Sequence, residues 1–292
     1  MMARTTAPRA GFGALFSAMA AALQWRLLLL WLLLMLLPAT VVALPLWRSL
    51  ADLFDHSVHA DAWARQFDPL MFGDAAFALG RHAAWLGGAA WLGLVLTLLL
   101  SPFLDGMAVG SGRVGRKLGF GPLLQNGWIE YGRMFRVMLW SLVPYAVVAL
   151  AAGAVSHMAD RHADQAVLES QADAAAHAAH WVLLAVFVLM QAIVESTRAA
   201  FIADTSLRSA TRAFGRGIKQ LLRRPLKTLL FYLVVSLIGL AIAGALGIAR
   251  IHTTAADGGF WLALLLSQLI VAALGWMRVA RLFALARLAP AR

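Results

Sequence analysis

Six long apolar stretches divide the chain, and the charged residues between them are sorted by loop. The N-terminus, the second and fourth loops and the C-terminus hold 20 of the 25 Lys and Arg residues and 4 of the 14 Asp and Glu residues, a net charge of +16. The first, third and fifth loops carry −5. This alternation is the positive-inside pattern of a multi-pass membrane protein. It predicts that both termini lie in the cytoplasm (N-in/C-in).

Each apolar stretch is close to the roughly 20 residues that a helix needs to cross a hydrocarbon core of about 30 Å. A helix satisfies its own backbone hydrogen bonds there, so we expect helices and not strands. The first stretch lacks a small-residue cleavage site and is predicted to be a retained span. The predicted spans are Leu27–Leu46, His82–Leu104, Val137–Val155, Trp181–Ala200, Thr228–Ala249 and Gly259–Met277.

The predicted fold is therefore all-α: one integral membrane domain over residues 1–292, with six transmembrane helices and two amphipathic helices on the cytoplasmic side. Only 13% of the residues are charged, against about a quarter in soluble domains. The basic residues flank spans, where anionic lipid attracts them, so the high pI does not indicate nucleic acid. The bias towards Ala, Leu, Arg and Trp indicates a bacterial source, which places the protein in the inner (cytoplasmic) membrane.

Small residues and tryptophans give two further expectations. Four-residue spacing predicts helix-packing faces, although such residues are also simply common in this chain. The small residues concerned are Ala89 and Gly93, Ala149 and Gly153, and Gly239, Ala243 and Gly247.

Tryptophans near the span ends predict an aromatic belt. They are Trp47, Trp85, Trp181 and Trp261 at the outer edge and Trp276 at the inner edge.

Two cytoplasmic loops share one plan. The second loop, from Asp105 to Arg136, begins with a Gly-rich stretch and continues, from Pro122, as a predicted amphipathic helix that leads into the third span. Its apolar residues are Leu123, Leu124, Trp128, Tyr131 and Phe135. The fourth loop places most of its basic residues opposite another apolar set before the fifth span. That set is Leu207, Phe214, Ile218 and Leu221.

Both amphipathic segments are candidates for interfacial helices that bind anionic lipid headgroups or dock a cytoplasmic partner. The alternative is that their charges only enforce topology. A shift of 90 residues aligns Gly127 with Gly217 and Arg133 with Arg223, which predicts an internal duplication. The candidate lipid- or partner-binding residues are Arg133, Arg136, Arg208, Arg212, Arg216, Lys219, Arg223, Arg224 and Lys227.

Three segments carry a resemblance to a known type of protein: 195–204 (ESTRAAFIAD), 208–214 (RSATRAF) and 222–225 (LRRP). They resemble uncharacterised multi-span bacterial inner-membrane proteins related to the membrane domain of some glycerophosphoryl diester phosphodiesterases. The resemblance implies a helical membrane module. No phosphodiesterase catalytic domain accompanies it, so that activity is not implied.

Polar residues inside predicted spans are candidate functional sites, because they are costly in lipid. Glu195 lies near the cytoplasmic end of the fourth span, and Arg198, three residues on, can pair with it. The pair either ends the span at the interface or forms an ion relay or a lid. Gln191 and Gln268 lie at similar depths, and we expect an interhelical hydrogen bond between them or their neighbours.

All eight histidines fall on the predicted periplasmic side. His56 and His59, and His177 and His180, are spaced i, i+3, which on a helix places two imidazoles on one face. Together with nearby acids they are weak candidates for a periplasmic divalent-metal site. A structural role without a ligand and a pH-sensing role stay open. No other cofactor is predicted, and the lack of cysteine excludes disulfides and thiolate metal sites.

The chain shows no nucleophile motif, paired catalytic carboxylates or nucleotide loop. We therefore expect a non-enzymatic membrane subunit, or a scaffold or accessory protein, that engages lipid or a cytoplasmic partner through its basic loops, with homo-oligomerisation open. The alternative is a small transporter or permease, including the membrane component of a two-part transport system, because transporters are often built from repeats.

Overall fold

The computed structural model describes residues 11–55, 57–58, 60, 69–165, 168–253 and 259–289, and within them the chain forms helices and short connections without strands. The fold class is all-α, as predicted. The helices are α1 (Phe12–Ala21), α2 (Trp25–Phe54), α3 (Pro69–Gly80), α4 (Ala83–Val114), α5 (Phe120–Gln165), α6 (Glu169–Ala203), α7 (Ala210–Arg223), α8 (Pro225–Ile251) and α9 (Gly259–Leu288).

Six of these helices (α2, α4, α5, α6, α8 and α9) are long and apolar enough to cross a membrane. Each covers one predicted span, apart from His82 at the start of the second, and extends beyond it, because a helix that is packed against neighbours does not stop at its first charged residue. The largest extension is in α5, whose 46 residues join the predicted amphipathic segment and the third span in one helix. The chain is compatible with a multi-pass integral membrane protein.

The helices α4, α6 and α9 contact one another, and α2, α5 and α8 pack around them. α2 lies against α4, α5 lies against both α4 and α6, and α8 lies against α9. The short helix α1, which the sequence did not predict, packs on α9, where Trp276 donates a hydrogen bond from Nε1 to the carbonyl oxygen of Met19 (3.2 Å). Trp276 is buried, so its prediction as a belt residue is wrong. We call the end where α4, α6 and α9 finish and α5 and α8 begin the basic end of the bundle.

The Gly-rich stretch predicted to open the second loop is instead the end of α4. A Cβ on Gly106 would lie 2.9 Å from the carbonyl oxygen of Gly127 in α5, and one on Gly110 would lie 2.4 Å from Asn126. Gly106 therefore lets the backbones of α4 and α5 approach, and Gly110 makes room for the Asn126 side chain. Among the described glycines, Gly115, with φ +67°, is the one in the left-handed conformation, and it ends α4.

The predicted packing faces are present in part. Gly93 approaches α2, with Val42 Cγ2 2.5 Å from where its Cβ would lie, and Gly239 approaches Met277 of α9 in the same way. Gly153 and Gly247 have no such neighbour among the described residues.

Candidate functional site

Five charged side chains from α4, α6 and α9 meet inside the basic end, and we call them the central charge cluster: Asp105, Glu195, Arg198, Arg278 and Arg281. Arg198 lies between the two acids, with Nε 3.0 Å from Asp105 Oδ2 and Nη1 3.4 Å from Glu195 Oε1. From α9, Arg278 Nη2 lies 2.9 Å from the carboxylate of Asp105, and Arg281 Nη2 lies 3.8 Å from Glu195 Oε1. Each acid thus faces two arginines.

Side chains of α2, α4 and α8 add polar and aromatic contacts to the arginines of α9. Arg281 donates hydrogen bonds to the hydroxyls of Tyr232 and Ser236, both at 3.3 Å. Arg278 donates to the Ser101 hydroxyl (3.1 Å), and its guanidinium lies 5.7 Å from the ring centre of Trp31. Such a cation–π contact contributes about 0.5–2 kcal/mol, depending on desolvation. The cluster therefore connects five helices.

The pair predicted from its three-residue spacing, Glu195 and Arg198, is present, and both side chains lie inside the bundle, 1% and 6% exposed. Sequence reasoning missed the other three members. It assigned Asp105 to a loop and ended the sixth span before Arg278 and Arg281. Two signals could have found them: Asp105 lies 90 residues before Glu195, and the two arginines share the spacing i, i+3. A relay or lid role for the pair stays a prediction.

The cluster is costly, because it holds three guanidinium groups against two carboxylates. Glu195 Oε2, Arg278 Nε and Arg281 Nε are buried without a hydrogen-bond partner among the described residues. Desolvation costs several kcal/mol for each buried ion, and removing one partner of such a pair costs about 3–5 kcal/mol. The arrangement of α4, α6 and α9 is therefore specific, because displacing one of these helices leaves charges unpaired.

A second ion-pair group ties α4, α5 and α6 together. Glu130 of α5 is 3% exposed and accepts hydrogen bonds from Arg113 Nη1 (2.5 Å) and Arg133 Nη1 (2.8 Å). Arg113 also donates from Nε to the carbonyl oxygen of Phe201 (2.7 Å). Arg133, a predicted lipid-binding residue, is therefore engaged within the protein.

All four acids that the sequence places in the basic set of loops are paired with arginine. The fourth is Asp204, whose Oδ2 accepts a hydrogen bond from Arg216 Nη1 (2.7 Å). The Ser206 hydroxyl and the Arg216 guanidinium lower the pKa of Asp204 from 3.8 to about 2. Within the described part of the basic end, none of these four acids is therefore free to pair with the remaining cations.

Four of the predicted basic residues line one cavity of about 280 Å³, formed by the end of α6, by α7 and by the end of α9. We call it the α7 cavity. Its cations are Arg216, Lys219, Arg223 and Arg224, and Asp204 is the one acid among its lining residues. Gln220 fixes α7 to α9 by donating a hydrogen bond from Nε2 to the carbonyl oxygen of Leu285 (3.2 Å).

The other predicted basic residues are dispersed. Arg136 and Arg208 line a separate open groove of about 380 Å³ between α5 and the connection to α7. Arg212 and Lys227 are exposed and line neither the groove nor the α7 cavity.

The contacts of the two amphipathic segments repeat with the shift of 90 residues seen in the sequence. A Cβ on Gly127 would meet Phe103 and Met107 of α4 at 2.8 and 3.0 Å. A Cβ on Gly217 would meet Ile193 and Thr197 of α6, 90 residues further along, at 2.8 and 2.4 Å. The same shift relates Asp105 to Glu195. These equivalent contacts support the predicted duplication.

The predicted hydrogen bond between Gln191 and the Gln268 region is wrong. Gln191 Oε1 instead accepts from the Tyr145 hydroxyl of α5 (2.8 Å). Ser267 bonds its own helix at Ala263 (2.8 Å), and Gln268 is half-buried without a side-chain hydrogen bond to any described residue.

The histidine pair on α6 is exposed, and each imidazole is near a carbonyl of its own helix. His177 Nδ1 lies 2.7 Å from the Asp173 oxygen, and His180 Nδ1 lies 2.6 Å from the Ala176 oxygen. Across the described residues, no group of three or more His, Asp and Glu side chains could hold a metal ion. His56 and His59 lie outside the described residues.

No protein-family model, curated protein or solved structure matches the chain. The resemblance of the 195–225 region to phosphodiesterase-associated membrane domains therefore stays a prediction.

Proposed function

We propose that this chain is a non-enzymatic scaffold or accessory protein of the bacterial inner membrane, N-in/C-in, whose basic end binds anionic lipid headgroups. The observation that carries the proposal is the α7 cavity, where four cations face one acid. Asp204 already pairs with Arg216, so Lys219, Arg223 and Arg224 lack a carboxylate partner there.

A phosphodiester is the anion that suits this cavity. Arginine binds phosphate oxygens with two parallel hydrogen bonds, and lysine adds a point charge. Basic pockets between membrane helices on the cytoplasmic side are typical headgroup sites.

Exposed leucines beside the cavity favour a lipid over a soluble phosphate. Leu222 and Leu226 are 75% and 83% exposed, and they flank Arg223 and Arg224 in the sequence. Acyl chains below a bound headgroup would cover these two leucines. Charge and apolar surface thus lie side by side, as an anionic phospholipid requires.

The test is binding of phosphatidylglycerol and phosphatidylcholine to the full-length protein, by native mass spectrometry from detergent. We expect phosphatidylglycerol to be retained preferentially. In the triple variant Lys219→Gln, Arg223→Gln, Arg224→Gln, the α7 cavity should bind it on the order of 100-fold more weakly, at about 1 kcal/mol for each cation. The charge-matched control is Arg208→Gln, Arg212→Gln, Lys227→Gln. Equal losses in both variants would show attraction by overall charge alone, without a site.

The repeat favours a second candidate function, a permease or the membrane component of a two-part transporter. Equivalent contacts in α4–α5 and α6–α7 surround a buried charge cluster, and internal repeats are common in transporters. Co-purification in mild detergent separates the two functions. A stoichiometric ATPase would favour the transporter, whereas a homo-oligomer that retains lipid alone would favour the scaffold.

A further inference from the structure

A second basic cavity, of about 360 Å³, adjoins the α7 cavity and belongs to no site described above. It lies between the α1–α2 junction, the end of α4 and the end of α9, and we call it the α1 cavity. Arg116, Lys117 and Arg287 line it, and none of its lining residues is acidic. All three cations are exposed and have no ion-pair partner among the described residues.

The wall of the α1 cavity is held by buried polar contacts. Ser111 is fully buried and donates its hydroxyl hydrogen to Gln24 Oε1 (2.6 Å), which joins α4 to the α1–α2 junction. Gln24, 7% exposed, donates from Nε2 to the Ala21 carbonyl (3.0 Å). Gly115, in the left-handed conformation, ends α4, so Arg116 and Lys117 leave the helix at the cavity. These contacts fix the part of the wall that Gln24 and Ser111 form.

The two cavities are neighbours across the ends of α6 and α9. Ala203, the last residue of α6, lines both. At the end of α9, Arg287 lines the α1 cavity and the next residue, Leu288, lines the α7 cavity. The two cavities therefore adjoin at Ala203 and at the end of α9.

Exposed apolar residues border the second cavity as well. α1 contains no charged residue, and its outer face presents Phe12 and Phe16, 62% and 59% exposed, while its inner face packs on α9. An apolar helix exposed on one side is typical of the membrane interface. Acyl chains can thus cover apolar surface next to each cavity.

We infer that the basic end binds a phospholipid with two phosphodiesters joined by glycerol, one phosphate in the α7 cavity and the other in the α1 cavity. This inference rests on the proposed function and names the class of lipid that it uses. A lipid with four acyl chains and two phosphates matches two adjacent cation-rich cavities, each with its own apolar border. A single-phosphate lipid fills only one of them.

The experiment compares cardiolipin with phosphatidylglycerol at equal phosphate concentration, on the full-length protein by native mass spectrometry. We expect the wild type to hold one cardiolipin or two phosphatidylglycerols and to prefer cardiolipin at least about 10-fold, the gain expected from linking two sites. The variant Arg116→Gln, Lys117→Gln, Arg287→Gln should hold one phosphatidylglycerol and lose the preference. Arg287→Gln alone should reduce the preference, and this milder variant is informative if the triple variant does not fold.

Three outcomes would overturn the inference. Equal affinity per phosphate for the two lipids, or an undiminished cardiolipin preference in the α1-cavity variants, would exclude a two-phosphate site. The single-phosphate site of the proposed function would survive these, because it depends on phosphatidylglycerol binding in the α7 cavity. Displacement of cardiolipin by equimolar inorganic pyrophosphate would show that the cavities bind a soluble diphosphate instead.

Discussion

The first turns of α5 (120–136) and the helix α7 have the same sequence plan and opposite orientations. α7 buries small and apolar residues, among them Ala213 and Leu221, against the bundle and exposes most of its basic residues. The start of α5 buries Glu130 and exposes Trp128, which is 76% accessible. α7 thus keeps most of its charges on the outside, whereas the start of α5 buries Glu130, half-buries Arg133 and leaves Arg136 exposed.

The difference follows from the position of each segment along the bundle, relative to the apolar spans. The Tyr131 hydroxyl of α5 donates to the carbonyl oxygen of Leu99, which is within the apolar part of α4 (3.1 Å). We therefore expect Trp128 to face lipid, where apolar groups belong outside and charges need partners within the protein. α7 follows the end of α6, beyond the spans, and we expect water around it. An amphipathic pattern shows that a helix has two faces, but the surroundings decide which face turns inward.

The largest expected difference is in chemical accessibility, and the absence of native cysteine makes it simple to measure. We expect Arg212→Cys to react readily with a membrane-impermeant maleimide in inverted membrane vesicles, and Trp128→Cys to stay unlabelled although both positions are exposed on the protein surface. Similar labelling rates would mean that both segments lie in water.

Glu130 of α5 and Gln220 of α7 occupy equivalent positions under the 90-residue shift. Replacing each of them compares a buried ion pair with a buried neutral hydrogen bond. Glu130→Ala leaves Arg113 and Arg133 without their acid, and we expect a loss of about 3–5 kcal/mol in the free energy of unfolding. Gln220→Ala removes one hydrogen bond to α9, at about 1 kcal/mol. Denaturation of the two variants in detergent measures both losses in the free energy of unfolding. Equal losses would contradict the contrast between α5 and α7.

Close packing of α7 on α6 is tested by two glycines of the same helix. A Cβ on Gly217 would lie 2.4 Å from Thr197 Oγ1, whereas one on Gly215 would meet nothing within 4 Å. We expect Gly217→Ala to destabilise the protein by about 1–3 kcal/mol through overpacking. Gly215→Ala should stabilise it by up to about 1 kcal/mol through helix propensity. Equal effects in the same unfolding assay would show that α7 is not packed as described.

The smallest expected effect concerns Asp204, which follows the end of α6 and pairs with Arg216 of α7. Because the pKa of Asp204 is lowered from 3.8 to about 2, the carboxylate stabilises the folded protein above pH 4, and this contribution disappears as the pH falls through 2. Melting temperatures of the wild type and Asp204→Asn should therefore converge between pH 4 and pH 2. A difference that does not change with pH would exclude this ion pair as its source.

Hydropathy alone predicted the six long helices, and the three-residue spacing alone predicted the ion pair Glu195–Arg198. Hydropathy failed at the basic end, because a span is predicted to stop where charges begin, whereas α4 and α9 continue with Asp105, Arg278 and Arg281 inside the protein. It also missed α1, whose ten residues are too few to cross a membrane. The partners of these residues lie far away in the sequence, and only the packing of the helices reveals them.

The spacing of the central charge cluster along the chain has a consequence for biosynthesis. Asp105 and Arg278 are separated by 173 residues, so α4 and α6 are synthesised well before α9. Until α9 is inserted, Asp105 and Glu195 have only Arg198 between them. We therefore expect the cluster to close as a late step of assembly, and a chain interrupted before α9 to keep an unneutralised acid at the membrane, where quality-control proteases can recognise it.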